Sequence, residues 1–116
     1  MTPEEFANAI EMLRSNNPMT YEDGYQWLQG AHMDQHIHEI VKILQAESDT
    51  EVRSRLVELV GNADRIEYIS LLVEQLSHES REVRFWAYSG LIYSEHEVAK
   101  AYAAGHRVNR PNEDFY

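Results

Sequence analysis

The sequence contains no cysteine, which excludes disulfide bonds, thiolate nucleophiles and thiolate metal sites. Because small secreted domains usually depend on disulfides, this absence favours a reducing compartment. Long apolar segments are missing too, and none approaches the roughly 20 residues that a membrane-spanning helix requires. The first residues, MTPEEFANAI, are acidic and amphipathic, so we expect no signal peptide. The chain of 116 residues therefore predicts one soluble, cytoplasmic domain.

Basic residues are scarce, with ten Lys and Arg against twenty Asp and Glu, which gives a formal net charge of −10. The excess is concentrated in residues 1–64, which carry twelve acids and four bases, whereas residues 65–116 carry eight acids and six bases. Such a negative field repels phosphate backbones and attracts basic proteins. We therefore expect a basic protein partner and no nucleic acid, although acidity alone also serves solubility.

Glycine is rare as well, and the five glycines stand singly. The sequence has no glycine-rich phosphate loop and no Gly-x-Ser-x-Gly elbow, which argues against nucleotide binding and serine hydrolysis. Its carboxylates show no spacing that would build a catalytic acid–base pair. These patterns predict a protein that is not an enzyme and that binds no cofactor.

The segment HMDQHIHE is the strongest candidate for a metal site. His32 and His36 are four residues apart, so on one helix they would share a face and could hold zinc. Asp34, His38 and Glu39 are near, but the spacing fixes no third ligand on that face. The segment also falls where two predicted helices meet. We interpret it as a solvated turn with helix-end histidines and predict no metal.

Apolar residues recur at helical spacing along almost the whole chain, which predicts an all-α fold. The expected elements are three helical pairs and a short seventh helix, at residues 3–31, 34–62, 65–94 and 95–104. Gly105 and Pro111 are expected to stop the last helix. Residues 1–104 would then form the single domain, and residues 105–116 a C-terminal tail. Its last residues, NEDFY, are either frayed or folded back as a strap, and we favour fraying.

Helix caps and apolar faces follow from the same periodicity. Thr2 is an expected N-cap, Asp49 or Thr50 is another, and Gly61–Asn62 is expected to end the fourth helix. The residues expected to face the core are Phe6, Ile10, Leu13, Tyr21, Tyr25, Leu28, Ile37, Ile40, Val41, Leu44, Val52, Leu56, Leu59, Val60, Ile66, Ile69, Leu72, Val73, Leu76, Val83, Ala87, Gly90 and Leu91.

The tripeptide Glu-Val-Arg occurs twice, at positions 51–53 in DTEVRSRLVELVG and at positions 82–84 in ESREVRFWAYSGL. A displacement of 31 residues, called the repeat shift below, relates these two copies and superimposes the apolar positions of the three helical pairs. For example, it places Tyr21 on Val52 and Val52 on Val83. The first helix of the last pair is the exception and needs 32 residues, as from Leu44 to Leu76. A pair of helices cannot bury its apolar face alone, so neighbouring pairs are expected to stack.

DTEVR followed by LVELVG, after IVKILQ, resembles the HEAT-repeat pattern, as does HESREVRFWAYSGL after LLVEQL. The resemblance covers residues 37–94 well and the first pair only by hydrophobic register. It implies a short right-handed α-solenoid of about three HEAT-like hairpins plus a C-terminal helix. It also implies structural roles for Asp49 and Arg53. Ser80 stands where the second Asp would be, so Arg84 is expected to find another partner.

The second helix of each pair is expected to lie on the inner, concave side of the solenoid. The residues beside the core positions of these inner helices form the candidate binding surface. The repeat shift turns Glu51, Arg55 and Glu58 into Glu82, Trp86 and Ser89, so the scaffold repeats while its exposed face changes. Trp, Tyr and Arg are the usual energetic anchors of interfaces. The candidate partner-binding residues are Glu22, Asp23, Trp27, Glu51, Arg55, Glu58, Glu82, Trp86 and Tyr93.

Two interpretations of the aromatic residues of the sixth helix stay open. Phe85 and Tyr88 are assigned to the core. Trp86 and Tyr93 are seven residues apart on one face, and they either anchor a partner or pack under the C-terminal helix.

This profile resembles that of a small bacterial immunity protein, which neutralises a basic nuclease-type toxin by covering its active site. The resemblance implies that carboxylates imitate phosphate. We expect the protein to be a monomer when free. The alternative is a general HEAT-repeat scaffold or adaptor subunit of a larger assembly. A DNA-binding HEAT protein would instead need a basic concave groove.

Overall fold

The computed structural model describes residues 1–116, the side chain of Ala31 excepted. The helices of the described chain are α1 (Pro3–Leu13), α2 (Pro18–Trp27), α3 (Ala31–Ala46), α4 (Thr50–Ala63), α5 (Ile69–Gln75), α6 (Arg81–Ile92) and α7 (Glu97–Asn109). A 3-10 turn, Ile66–Tyr68, leads into α5. The described residues include no β-strand, so the predicted all-α class is confirmed.

Consecutive helices contact each other in hairpin-like pairs, with α1 on α2, α3 on α4 and α5 on α6. α6 also packs closely along α4, and α7 packs on α6. The molecule measures 43 × 27 × 22 Å, with a radius of gyration of 13.9 Å. None of the described helices combines the length and apolar character needed to cross a membrane.

The buried core matches the predicted apolar faces at most positions, including Leu13, Leu28, Leu44 and Leu56. Ile66 is an exception, because its side chain is 62% exposed. It lies in the 3-10 turn, where the tighter winding takes it out of the α-helical register that the periodicity assumed. Its assignment to the core was therefore wrong.

Helix starts follow the expected capping chemistry. Thr2 and Glu5 form a capping box, each side chain bonding the other's backbone N–H. Asp49 is the N-cap of α4, and its Oδ1 accepts hydrogen bonds of 3.0 Å from the backbone N–H groups of Glu51 and Val52. These bonds satisfy donors that the first turn of a helix leaves free.

The sequence predicted that α4 ends at Gly61–Asn62, and this prediction was wrong. The helix continues to Ala63 and ends at Asp64, which adopts the left-handed conformation with φ 49°. Gly61 instead lies where α4 and α6 cross, and a Cβ atom on it would come within 3.0 Å of the Cα of Gly90. Two glycines without side chains thus let these helices approach backbone to backbone.

Arg53 joins the turn before α4 to the following helical pair. Its Nη1 donates to the carbonyl oxygens of Leu44 at 3.1 Å and Glu47 at 2.8 Å, and its Nε donates to Oε1 of Gln75 at 3.0 Å. The guanidinium group therefore satisfies carbonyl oxygens at the end of α3 and also holds α5 in position through Gln75.

Arg84, which the repeat shift places on Arg53, has an equivalent arrangement with a different lateral partner. Its Nη1 donates to the carbonyl oxygens of His78 and Glu79 at 3.1 and 2.9 Å. Its Nε and Nη2 donate to the two carboxylate oxygens of Glu113 at 2.9 and 3.0 Å. The expected substitute partner of Arg84 is therefore a residue of the C-terminal tail.

The C-terminus differs from the prediction in two ways. α7 continues through Gly105 to Asn109, because a single glycine costs a helix only about 1 kcal/mol and α7 is held by buried Ala99 and Ala103. Residues 110–116 do not fray but fold back onto α6 and α7, with Glu113 at Arg84 and Phe115 against Tyr88 at 5.5 Å between ring centroids.

The carboxylate of Glu113 gives the fold a pH dependence. Hydrogen bonds from Arg84, and to a lesser extent from His106, lower the pKa of Glu113. Ionised Glu113 therefore stabilises the fold above its ordinary pKa, and this contribution is lost as the pH falls through the lowered value. We expect Glu113→Gln to decrease the free energy of unfolding at neutral pH, and the decrease to shrink as the pH falls below about 4.

Urea unfolding of the wild type and Glu113→Gln between pH 3 and 7 measures this difference. The matched control is Glu74→Gln, because Glu74 is an exposed glutamate of α5 that forms no ion pair within the described residues. A stability difference for Glu113→Gln that does not change with pH would contradict the assignment.

Candidate protein-binding groove

A groove runs over the exposed face of α4, between α2 and α6. It consists of a first hollow of about 450 Å³ between α2, α4 and α6, and a second of about 600 Å³ between the ends of α4 and α6. Glu58 and Trp86 line both hollows, so the two form one continuous surface. The groove exists because α6 packs directly along α4 whereas α2 makes few close approaches to it.

Carboxylates dominate this groove. Glu22, Glu51, Glu58 and Glu82 line the first hollow. Asp64 and Glu95 line the second, together with Tyr93 and Gly90. Low-dielectric walls concentrate the field of such a surface toward the solvent in the groove.

Arg55 is the basic residue that lines the first hollow, and its guanidinium is held by contacts within the fold. Its Nη1 donates to the carbonyl oxygens of Leu13 at 2.7 Å and Ser15 at 3.1 Å. Its guanidinium lies over the ring of Tyr21, 3.9 Å from the centroid. Its Nη2 lies 3.6 Å from Oε2 of Glu51. Arg55 thus balances Glu51 while it anchors the end of α1. Glu82 pairs with Arg81 at 2.6 Å, so Glu22 and Glu58 are the carboxylates of the hollow that have no ion pair within the described residues.

Glu58 occupies the centre of the groove in a half-buried position. Burial raises the pKa of Glu58, the Glu22 carboxylate raises it further, and a hydrogen bond from Tyr25 acts in the opposite direction. Burial, and then the adjacent Glu58, also raise the pKa of Tyr25, whose hydroxyl accepts a 2.5 Å hydrogen bond from Asn62. Since no basic side chain of the described residues pairs with Glu58, its charge is available to a cation from outside.

Two aromatic side chains, one on α6 and one directly after its end, flank the carboxylates. Trp86 is half-buried and packs edge-on against Phe85, with 4.8 Å between the ring centroids. Tyr93 is 84% exposed, which answers the open question of whether it packs under α7. Tyr88 is buried as expected, whereas Phe85 is only half-buried and lies beneath Phe115 of the tail.

Two of the predicted site residues lie outside the groove. Trp27 lines a small hollow on the α1 side of α2 and stacks on His32, with 6.4 Å between the rings. Asp23 is exposed on α2 but does not line either hollow of the groove. Both residues lie outside the groove because Gly24 is buried against α1, which fixes the side of α2 that faces α4.

Asp64 and Glu95 are groove residues that the sequence analysis did not select. The Asp64 carboxylate accepts hydrogen bonds from Oγ of Ser94 at 2.5 Å and from the backbone N–H of Glu95 at 2.9 Å. The repeat shift places Asp64 on Glu95. Asp64 and Glu95 thus occupy equivalent positions in the loops after α4 and α6. Applying the repeat shift to these loops would have predicted both residues as part of the candidate surface.

The candidate zinc ligands His32 and His36 do lie on one helix, α3, with their expected spacing. Their rings have different neighbours. His36 is buried, stacks on Phe6 at 4.5 Å and contacts Glu39 through Nδ1 at 3.0 Å, so its description as a solvated helix end was wrong. The described residues hold no cluster of three His, Asp or Glu side chains that could bind a metal ion.

Comparisons with known proteins gave no match, whether to a protein-family model, a curated protein or a solved structure. The function is therefore inferred from the groove itself.

Proposed function

We propose that the helical pairs stack as a short right-handed HEAT-like α-solenoid, with α2, α4 and α6 on its inner side. The support is the repeat in the sequence and the equivalent bonding of Arg53 and Arg84, each of which joins its own turn to the next structural unit. The close crossing of α4 and α6 at Gly61 and Gly90 fits neighbouring inner helices. In this arrangement the groove is the concave face.

The function that the groove supports best is binding of a basic protein, without catalysis. The observation that carries this proposal is the half-buried Glu58, which has no cation of its own and lies between further carboxylates and Trp86. A lysine or arginine side chain of a partner would gain charge-assisted hydrogen bonds there. Trp86 and Tyr93 would supply the apolar anchors that such an interface needs.

Within this class we propose an immunity protein that neutralises a nuclease-type toxin. The basic active site of a nuclease binds phosphates spaced along a strand, and carboxylates spaced along a groove can occupy the same positions. Here Glu22, Glu51 and Glu82 would meet toxin cations while the rest of the groove covers the catalytic residues. Electrostatic attraction of this kind accelerates association more than it slows dissociation.

A scaffold or adaptor is the second candidate, and the exposure of Tyr93 favours it, because an exposed aromatic ring serves partners of any charge. The two proposals differ in their response to salt. Binding to a toxin through carboxylates should weaken sharply by about 0.5 M salt, whereas an interface built on Tyr93 and Trp86 should persist.

The test compares two charge-reversed variants as baits for proteins in a lysate at low salt. Glu22→Lys/Glu51→Lys reverses exposed groove residues. Glu4→Lys/Glu11→Lys is the matched control, since it changes the net charge equally on exposed positions of α1. We expect the wild type and the control to retain the same basic proteins, and the groove variant to lose most of them.

The purified partner then allows association rates to be measured by stopped flow. We expect the groove variant to associate roughly tenfold or more slowly than the control at low salt. Equal loss of binding by both variants would show that only net charge matters and would refute the groove as the binding site.

A further inference from the structure

The C-terminal residues lie on α6 and α7 in the manner of a bound peptide. Both carboxylate oxygens of Glu113 bond to the guanidinium of Arg84, and the side chains of these two residues are only 10% and 13% exposed. Nε of Arg81 donates to Asp114 at 2.8 Å. A bidentate pair shielded from water is a strong and directional contact.

Aromatic packing completes the contact. Phe115 lies 5.6 Å from Phe85 and 5.5 Å from Tyr88 between ring centroids, and Tyr116 lies 5.2 Å from Tyr88. The Tyr116 hydroxyl donates to the carbonyl oxygen of Arg110 and lies 3.3 Å from the carbonyl oxygen of His106. The face therefore binds the carboxylate of Glu113 and the two aromatic rings that follow it two and three residues further along.

The repeat explains why α6 has such a face. The repeat shift places the 3-10 turn and α5, residues 66–75, on residues 97–106 of α7, so α7 corresponds to the first helix of another pair. His106 then takes the place of Gln75, the lateral partner of Arg53. Instead of bonding Arg84 directly, His106 contacts Glu113 at 3.2 Å, and Glu113 bonds Arg84.

We propose that this face, formed by Arg81, Arg84, Phe85, Tyr88 and His106, is a binding site for an acidic–aromatic peptide segment. Its occupant is the chain's own residues 112–116, held in cis. The segment is exchangeable, because its contacts are confined to a few side chains beyond the end of α7. A segment of the same chemistry from another molecule can bind when the resident one leaves. This site adjoins the acidic groove, because Arg81 also pairs with Glu82 at 2.6 Å, but it does not depend on the proposed function.

The experiment uses the full chain with Glu113→Ala and Phe115→Ala, which remove the resident contacts. The probe is a fluorescein-labelled synthetic peptide, PNEDFY, which is the sequence of residues 111–116. We expect fluorescence anisotropy to show binding to this variant at least about tenfold tighter than to the wild type. The reason is that the tethered segment, with an effective concentration near the millimolar range, outcompetes a free peptide in the wild type.

Two control peptides test the chemistry, one with Gln for the glutamate and one with Ala for the phenylalanine. Each should bind the variant several-fold more weakly than PNEDFY. Equal binding of PNEDFY to the variant and the wild type, or equal binding of the three peptides, would overturn the proposal.

Circular dichroism establishes that the variant is folded. Should the double substitution unfold the chain, the same titration is made with Glu113→Gln, which preserves the shape of the tail. This variant should also bind the peptide more tightly than the wild type does, and failure to do so would likewise overturn the proposal.

Discussion

Replacing Gly24 by alanine is expected to destabilise the protein by about 3 kcal/mol, a large fraction of the stability of a domain of this size. A Cβ atom at this position would lie 2.7 Å from the backbone nitrogen of Leu13 and 2.8 Å from the carbonyl oxygen of Ala9. These are backbone atoms of α1, so they cannot move aside as a side chain would. α1 and α2 would have to separate, and the apolar contacts of the first pair would loosen.

Gly105→Ala is the matched control, because Gly105 also lies inside a helix but has no atom within 4 Å of the added Cβ. Here only helix propensity acts, and the substitution should stabilise the protein by about 0.8 kcal/mol. Guanidinium unfolding of the two variants should therefore shift the midpoint in opposite directions. Stabilisation by both substitutions would show that α1 and α2 are not in close contact at Gly24.

Leu56→Ala is expected to cost about 3–5 kcal/mol in the free energy of unfolding. Leu56 lies in α4 with 0% exposure. α4 contacts α3, α5 and α6, so the cavity would form at the junction of several helices. Neighbours held from several sides cannot collapse into the space, which places the cost at the upper end for such substitutions.

Ile66→Ala removes the same number of carbon atoms from a side chain that is 62% exposed. Its cost should stay within about 0.5 kcal/mol. Urea unfolding of both variants, with the slope against denaturant concentration checked for constancy, measures the contrast. A similar cost for the two would mean that Ile66 is buried in solution and that the sequence periodicity was right about it.

Helix positions and most of the core were predictable because they depend on local periodicity and on short-range caps such as Thr2 and Asp49. Ile66 was not, since a 3-10 turn obeys a different period and leaves no distinct mark in the sequence. Gly61 shows a related difficulty. Glycine is favoured both at helix ends and at close helix crossings, and only the position of Gly90 distinguishes the two roles.

The groove was predictable on α4 and α6 but not on α2. The repeat shift places Gly24 at the position of Arg55, which faces the groove. Gly24 is instead buried against α1, so Tyr21 and Glu22 line the groove while Trp27 does not. The first pair keeps the spacing of the repeat but not its packing, because no side chain separates α2 from α1 at this point.

The docked tail was foreseen only as the less favoured of two alternatives, because its contacts join residues far apart in sequence. Arg84 and Glu113 belong to different elements with α7 between them, and the tail sequence NEDFY has no periodicity that would indicate a partner. The only local signal was the absence of an Asp before Arg84, which predicted a substitute partner without naming it.

Arg55 links the integrity of the N-terminal pair to the electrostatic character of the groove. The carbonyl oxygens at the end of α1 hold its guanidinium at one edge of the first hollow. If α1 and α2 came loose, this cation would be free to swing among the neighbouring glutamates and would compete with an incoming lysine or arginine. The hydrogen bonds from Arg55 to the end of α1 thus keep its guanidinium away from the glutamates that a partner's lysine or arginine would contact.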